Sequence, residues 1–157
     1  MNDEKFLQAY DKYKNTVYAV IFNYLRSAED ASELSQDTFI KLYTYDGEFD
    51  SDEHMKAWLI RVAINSSKNH LRSRKHISAS PIPEDMSSDD RYDTDEIIAE
   101  VMKLPEKYRV PIHLFYYEEY GISEIADILG LHEATVKTRL KRGRDKLRKT
   151  LRKEDWL

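Results

Sequence analysis

Ten basic and four acidic side chains fall between residues 131 and 157, a net charge of +6. Thr135, Lys137, Thr138, Arg139, Lys141, Arg142 and Arg144 are packed into ten positions of that stretch. Guanidinium and ammonium groups at this density neutralise phosphates, and residues early on such a helix can reach base edges in a major groove. A second cluster holds Arg61, Asn65, Lys68, Asn69, Arg72, Arg74 and Lys75, in a block (51–75) with six basic and two acidic residues. Its cations suit phosphates, its asparagines can hold an exposed base, and nearby aromatic rings can stack on single strands. For the second cluster alone, a basic helix end favoured by the helix dipole is at least as plain a reading. Between them, residues 76–100 carry one basic and eight acidic side chains. Two basic helices flanking an acidic stretch point to two contacts with a polyanion.

Other chemistries find little support. There are no cysteines, so disulfides, thiol nucleophiles and cysteine-held zinc are excluded. His54, His70, His76, His113 and His132 show no ligand spacing and are expected in the core or on the surface. The acidic stretch Asp46–Glu53 lacks the residue order of a calcium loop. No phosphate-cradling glycine loop or nucleophile elbow is present, and no pair of carboxylates stands out. The chain is therefore expected to catalyse nothing and to need no cofactor or metal. Its longest apolar run is six residues, Val17 to Phe22, too short to span a bilayer. The acidic start, Met1-Asn2-Asp3-Glu4, does not resemble a secretory signal, and a cytoplasmic location is expected.

The elements that position these clusters are helices. With only four glycines and four prolines among 157 residues, an all-α chain of two small domains is expected. Phe6, Tyr10, Tyr13, Val17, Ile21 and Leu25 give a helix over about 4–26. Ser27 starts a second, whose buried face is Ala31, Leu34, Thr38 and Leu42. After a loop at 46–52, Met55, Trp58, Leu59, Val62 and Ala63 line a third helix, running to about Lys75. Residues 76–95, rich in serine, proline and aspartate, read as a flexible linker between domains 1–75 and 96–157. Pro105 suits the first turn of a helix reaching about Tyr120, with a kink or a later start at Pro111. Gly121 is expected to end it, Ser123 to cap a short helix 124–129, and Gly130 to close that helix. A final helix, about 133–153, would pack Val136, Leu140, Gly143 and Leu147 on the short one as a helix-turn-helix.

Three stretches carry a resemblance to a known family. "DASELSQDTFIKLY" (30–43), "HMKAWLIRVAINSSKNHLRSRK" (54–75) and "LPEKYRVPIHLFYYEEYGISEIADILGLHEATVKTRLKRGRDKLRK" (104–149) resemble regions 2.2, 2.3–2.4 and 4 of a bacterial RNA polymerase sigma factor of the extracytoplasmic-function (ECF) group. The resemblance implies that Gln36, Asp37, Phe39 and Lys41 face the β′ clamp of core RNA polymerase. It implies that Asn65 accepts a base flipped from the −10 strand of promoter DNA, with Asn69 and Arg72 further along. Lys137, Thr138, Lys141 and Arg142 would read the −35 element, and region 4 would also meet the β flap. An anti-sigma factor is implied as a further partner, and the free chain is expected to be a monomer. Two departures concern local stability: His132 stands where the family often caps with serine, and Pro111 interrupts an apolar helix.

The 20 residues 76–95 can span ~66 Å at ~3.3 Å each. Two DNA sites two turns apart lie about 70 Å apart, so both ends can be engaged together. The acidic linker is expected to imitate nucleic acid in a polymerase channel. The rival readings are a stand-alone helix-turn-helix regulator and an enzyme acting on RNA or nucleotides.

Overall fold

The computed structural model describes residues 1–73 and 92–151. Seven α-helices and one π-helical turn make up the regular structure of these residues, which divide into two units. Arg74 and Lys75, residues 76–91 of the linker stretch and residues 152–157 lie outside the described residues. The last helix, expected to reach about residue 153, ends at Thr150, with Leu151 extended.

The first unit is a three-helix bundle: α1 (Asp3–Leu25), α2 (Ala28–Tyr43) and α3 (Asp52–Ser73). Each packs on the other two. Asn2 caps α1, its side chain accepting from the Lys5 N–H at 2.8 Å. Arg26 ends that helix in the left-handed region at φ 55°, which lets α2 start at once. Ser27 caps α2, its hydroxyl accepting from the Asp30 N–H at 3.2 Å. The expected face of α2, Ala31, Leu34, Thr38 and Leu42, is buried. Val17, Ile21, Leu42, Leu59, Ile60 and Ile64 form the centre of the core, each essentially inaccessible to water. Fully burying one such side chain contributes roughly 1.5–3 kcal/mol.

The second unit holds α4 (Tyr92–Met102), α5 (Glu106–Ile112), a π turn (His113–Tyr117), α6 (Ile122–Leu129) and α7 (Glu133–Thr150). Four expectations need correction here. Residues 92–95, read as linker, form the first turn of α4. Of the two readings of Pro111, the later start is ruled out, because α5 already begins at Glu106. The helix runs through the proline and then widens, the Glu118 N–H reaching back to the His113 carbonyl at 3.2 Å. Proline lacks an amide donor and its ring crowds the carbonyl four residues back; the wider turn follows just beyond it. Gly121 does not end the preceding helix: Glu119 takes the left-handed conformation, at φ 60°, and Gly121 is extended. Gly121 instead caps α6 in place of Ser123, its N–H donating to Glu124 Oε1 at 2.9 Å.

Gly130 closes α6 at φ 68°, as expected. Val136, Leu140, Gly143 and Leu147 are buried, but their stripe serves two neighbours, because α7 packs on α5 as well as on α6. Gly143 lies against α5, facing Ile112 and the Tyr108 Cβ, rather than against the short helix.

Candidate nucleic-acid interface

The solvent face of α3 follows from its buried one. Leu59, Ile60, Ala63, Ile64 and Ser67 point into the bundle. At ~100° per residue, Arg61, Asn65, Lys68, Asn69 and Arg72 then share an arc of about 100° on the outer side. Arg61, Asn65, Asn69 and Arg72 are exposed and Lys68 is half-buried. The helix brings together five of the seven residues expected there; Arg74 and Lys75 are the two beyond the described residues.

Trp58 falls on the same arc, one turn before Arg61. The loop ahead of α3 adds two rings to it. Tyr45 stands 4.8 Å from Trp58 and 5.2 Å from Phe49, and Phe49 lies 5.6 Å from Trp58, all between ring centroids. Tyr45 folds over Gly47, where a Cβ would collide with its ring. The polar face therefore begins at an aromatic cluster, a surface on which unstacked bases can lie. Tyr45 and Phe49 were not among the candidates, because an aperiodic loop gives no sequence signal of where its rings fold.

In the second unit, Lys137, Thr138, Lys141 and Arg142 are exposed together on the side of α7 opposite its buried stripe. Thr135, Arg139 and Arg144 are half-buried. Arg144 turns toward the π turn, its Nη1 3.4 Å from the Tyr116 hydroxyl. The Thr138 hydroxyl donates to the Ala134 carbonyl at 3.0 Å and is left to accept from a ligand. A groove of about 360 Å3 runs beside this face, lined by Lys107, Tyr108, Thr135, Thr138, Arg139 and Arg142. Lys107 and Lys146 stand over the Tyr108 ring, 5.1 and 5.7 Å from its centroid. Burial pushes the Tyr108 phenol up, but the Lys107 and Arg142 charges outweigh it and the group titrates below its ordinary value. His132 starts α7 without a side-chain cap, as its residue type suggests.

On α2, Gln36, Asp37 and Lys41 are exposed. Phe39 is not: it is 3% exposed, packed edge-on against Tyr10 at 5.0 Å and Phe6 at 6.5 Å. It belongs to the core between α1 and α2 and offers no docking surface. The exposed apolar residue is its neighbour Ile40, at 61%; Leu7, Tyr10 and Tyr43 are the other exposed large apolar residues of α1 and α2. Ile40 falls off the Ala31–Leu42 stripe, and an apolar residue off the stripe was the available signal.

Among the described residues no cluster of histidine and carboxylates could hold a metal, and no helix is long and apolar enough to cross a membrane.

Two sequence families match the two units in turn. The description "Sigma-70 region 2" covers residues 9–77, and "Sigma-70, region 4" covers residues 94–147. The ECF RNA polymerase sigma factor SigW of Bacillus subtilis is 30% identical, over 96% of this chain and 91% of its own length. The chain belongs to the ECF sigma factors. As one of them it directs transcription initiation, and the stand-alone regulator is not favoured. The RNA polymerase sigma-H factor of Pseudomonas aeruginosa is also 30% identical, over 89% of this chain and 82% of its own. Solved sigma-factor structures share the fold. RpoE of Bartonella quintana, crystallised with the anti-sigma factor NepR, superposes with a TM-score of 0.77 at 23% identity, covering 96% of this chain and 99% of that one. CnrH, in complex with the cytosolic domain of CnrY, gives 0.68 at 23% identity, covering 95% and 88%.

Proposed function

We propose that this sigma factor holds core RNA polymerase through the α1–α2 surface and reads a promoter with both units. Ile40, Leu7, Tyr10 and Tyr43, rimmed by Gln36, Asp37 and Lys41, form the apolar contact for the β′ clamp. The α3 face, from the Trp58 cluster to Arg72, takes the −10 strand: rings stack bases, asparagines hold them, and cations hold phosphates. The α7 face, Lys137 to Arg142, enters the major groove of the −35 element, and the second unit also meets the β flap. No step is catalysed by the chain; trapping unstacked bases compensates for the broken pairs. It acts in the cytoplasm as a monomer until it meets polymerase. The complexes of RpoE with NepR and of CnrH with CnrY support an anti-sigma partner here too.

The observation that carries this reading is the placement of two polar, base-competent helix faces in two separate units. Run-off transcription with purified core polymerase on genomic fragments tests it. New start sites that require the protein, sharing two spaced elements, are the expected result. Specific DNA binding without polymerase and no new starts would overturn it.

A further inference from the structure

The apolar anchoring of α3 stops before its DNA face does. Leu59, Ile60, Ala63, Ile64 and Ser67 are buried, and no residue of α3 after Ser67 is. Asn69 and Arg72 lie on the two turns beyond. A polar contact joins this stretch to α2. His70 Nε2 stands 3.2 Å from Asp30 Oδ2, with side chains 18% and 6% exposed.

Asp30 is set up for that role. It sits in the first turn of α2, where the helix N-terminus favours a negative charge, and its N–H is already taken by Ser27. His70 Nε2 is buried and makes no aligned hydrogen bond, so Asp30 is the anion it faces. His70 also lines, with Asn69, Ser66 and Ser73, a groove of about 470 Å3 whose other wall is Leu34, Asp37, Ile40 and Lys41 of α2. A tilt of the α3 end would open that groove and move Asn69.

We propose that His70 is a positioning residue: held by Asp30, it fixes the last turns of α3 on α2 and so places Asn69 and Arg72 for DNA. This rests on reading the α3 face as the −10 surface. Residues that act through one another are not additive, whereas general loss of stability adds. The test compares wild type, Asn69→Ala, His70→Gln and the double variant in holoenzyme, by permanganate reactivity of the −10 thymines. His70→Gln is expected to lower the opened fraction roughly three- to tenfold, and to lower it little further in the Asn69→Ala background. Asp30→Asn should act like His70→Gln, which covers the case where one variant fails to fold. His70→Lys, which keeps an N–H donor near Asp30, should recover part of the loss. Full additivity of His70→Gln with Asn69→Ala, or no loss in His70→Gln, overturns the proposal while leaving the face intact. No loss in Asn69→Ala itself overturns the reading of the face and the proposal with it.

Discussion

Ile112 of α5 fills the space into which a side chain on Gly143 of α7 would project. The Tyr108 Cβ and Ile112 Cγ1 lie 3.3 Å from that point. The helix carrying the basic face is thereby seated on α5 at its closest approach. Gly143→Ala should stay within about 1 kcal/mol of wild type, because displacement of the mobile Ile112 end is offset by ~1 kcal/mol of helix propensity. Gly143→Val has no such relief and should destabilise by roughly 2–3 kcal/mol. Urea denaturation reads the difference, and equal losses in the two variants would contradict this packing.

Phe39 and Ile40 are neighbours with opposite roles. Phe39→Ala removes a buried ring and should cost about 3 kcal/mol of stability. Ile40→Ser should change stability by less than about 0.5 kcal/mol, yet weaken binding of core polymerase. Thermal unfolding paired with competition against another sigma factor separates the two effects. A stable Phe39→Ala would show the ring is not core.

Asn65 is exposed at the centre of the α3 face. Asn65→Ala should lower permanganate reactivity of the −10 strand roughly tenfold, within the ~1–3 kcal/mol that a side chain hydrogen-bonded to a base edge is worth. Closed-complex formation on duplex DNA should be nearly unchanged. Parallel loss in both assays would mean that Asn65 supports duplex binding instead.

Tyr108 and Tyr117 should titrate at opposite ends of the tyrosine range. Burial pushes Tyr117 up, while Lys107 and Arg142 bring Tyr108 down despite its burial. In an absorbance titration of tyrosinate, Tyr108→Phe should delete a component below the ordinary tyrosine value and Tyr117→Phe one above it. The sign for stability follows from the lowered Tyr108 value. The folded state releases this proton first, so stability from the group is gained above its folded pKa and lost as pH falls through it. At neutral pH the phenol is protonated folded and unfolded alike and contributes nothing through this linkage.

Two left-handed residues offer opposite substitutions. Gly130 has open space around its Cα, so Gly130→Ala should lose about 1 kcal/mol through backbone conformation alone. Glu119 is exposed and holds φ 60°, so Glu119→Gly should gain up to about 1 kcal/mol. Chemical denaturation checks both signs.

The sequence by itself determined the helices, their buried faces and the order of the two units. Each stripe, such as Ala31, Leu34, Thr38 and Leu42, is a local period that survives whatever it packs on. The cap at Ser27 and the left-handed Gly130 are equally local, and so are the exposed faces of α3 and α7, which follow once the buried stripes are known. Motifs spread along the chain were enough to point to the family. Tertiary structure decided what depends on residues far apart. Phe39 is core because Phe6 and Tyr10, some thirty residues away, close over it. Gly143 meets Ile112 rather than α6 because α5 lies closer to α7 there. Gly121 starts a helix rather than ending one because Glu119 has already turned the chain after the π turn. His70 faces Asp30 across forty residues of sequence, a pairing that no periodicity contains. Local patterns fix which side of a helix is wet; only packing fixes what the dry side touches.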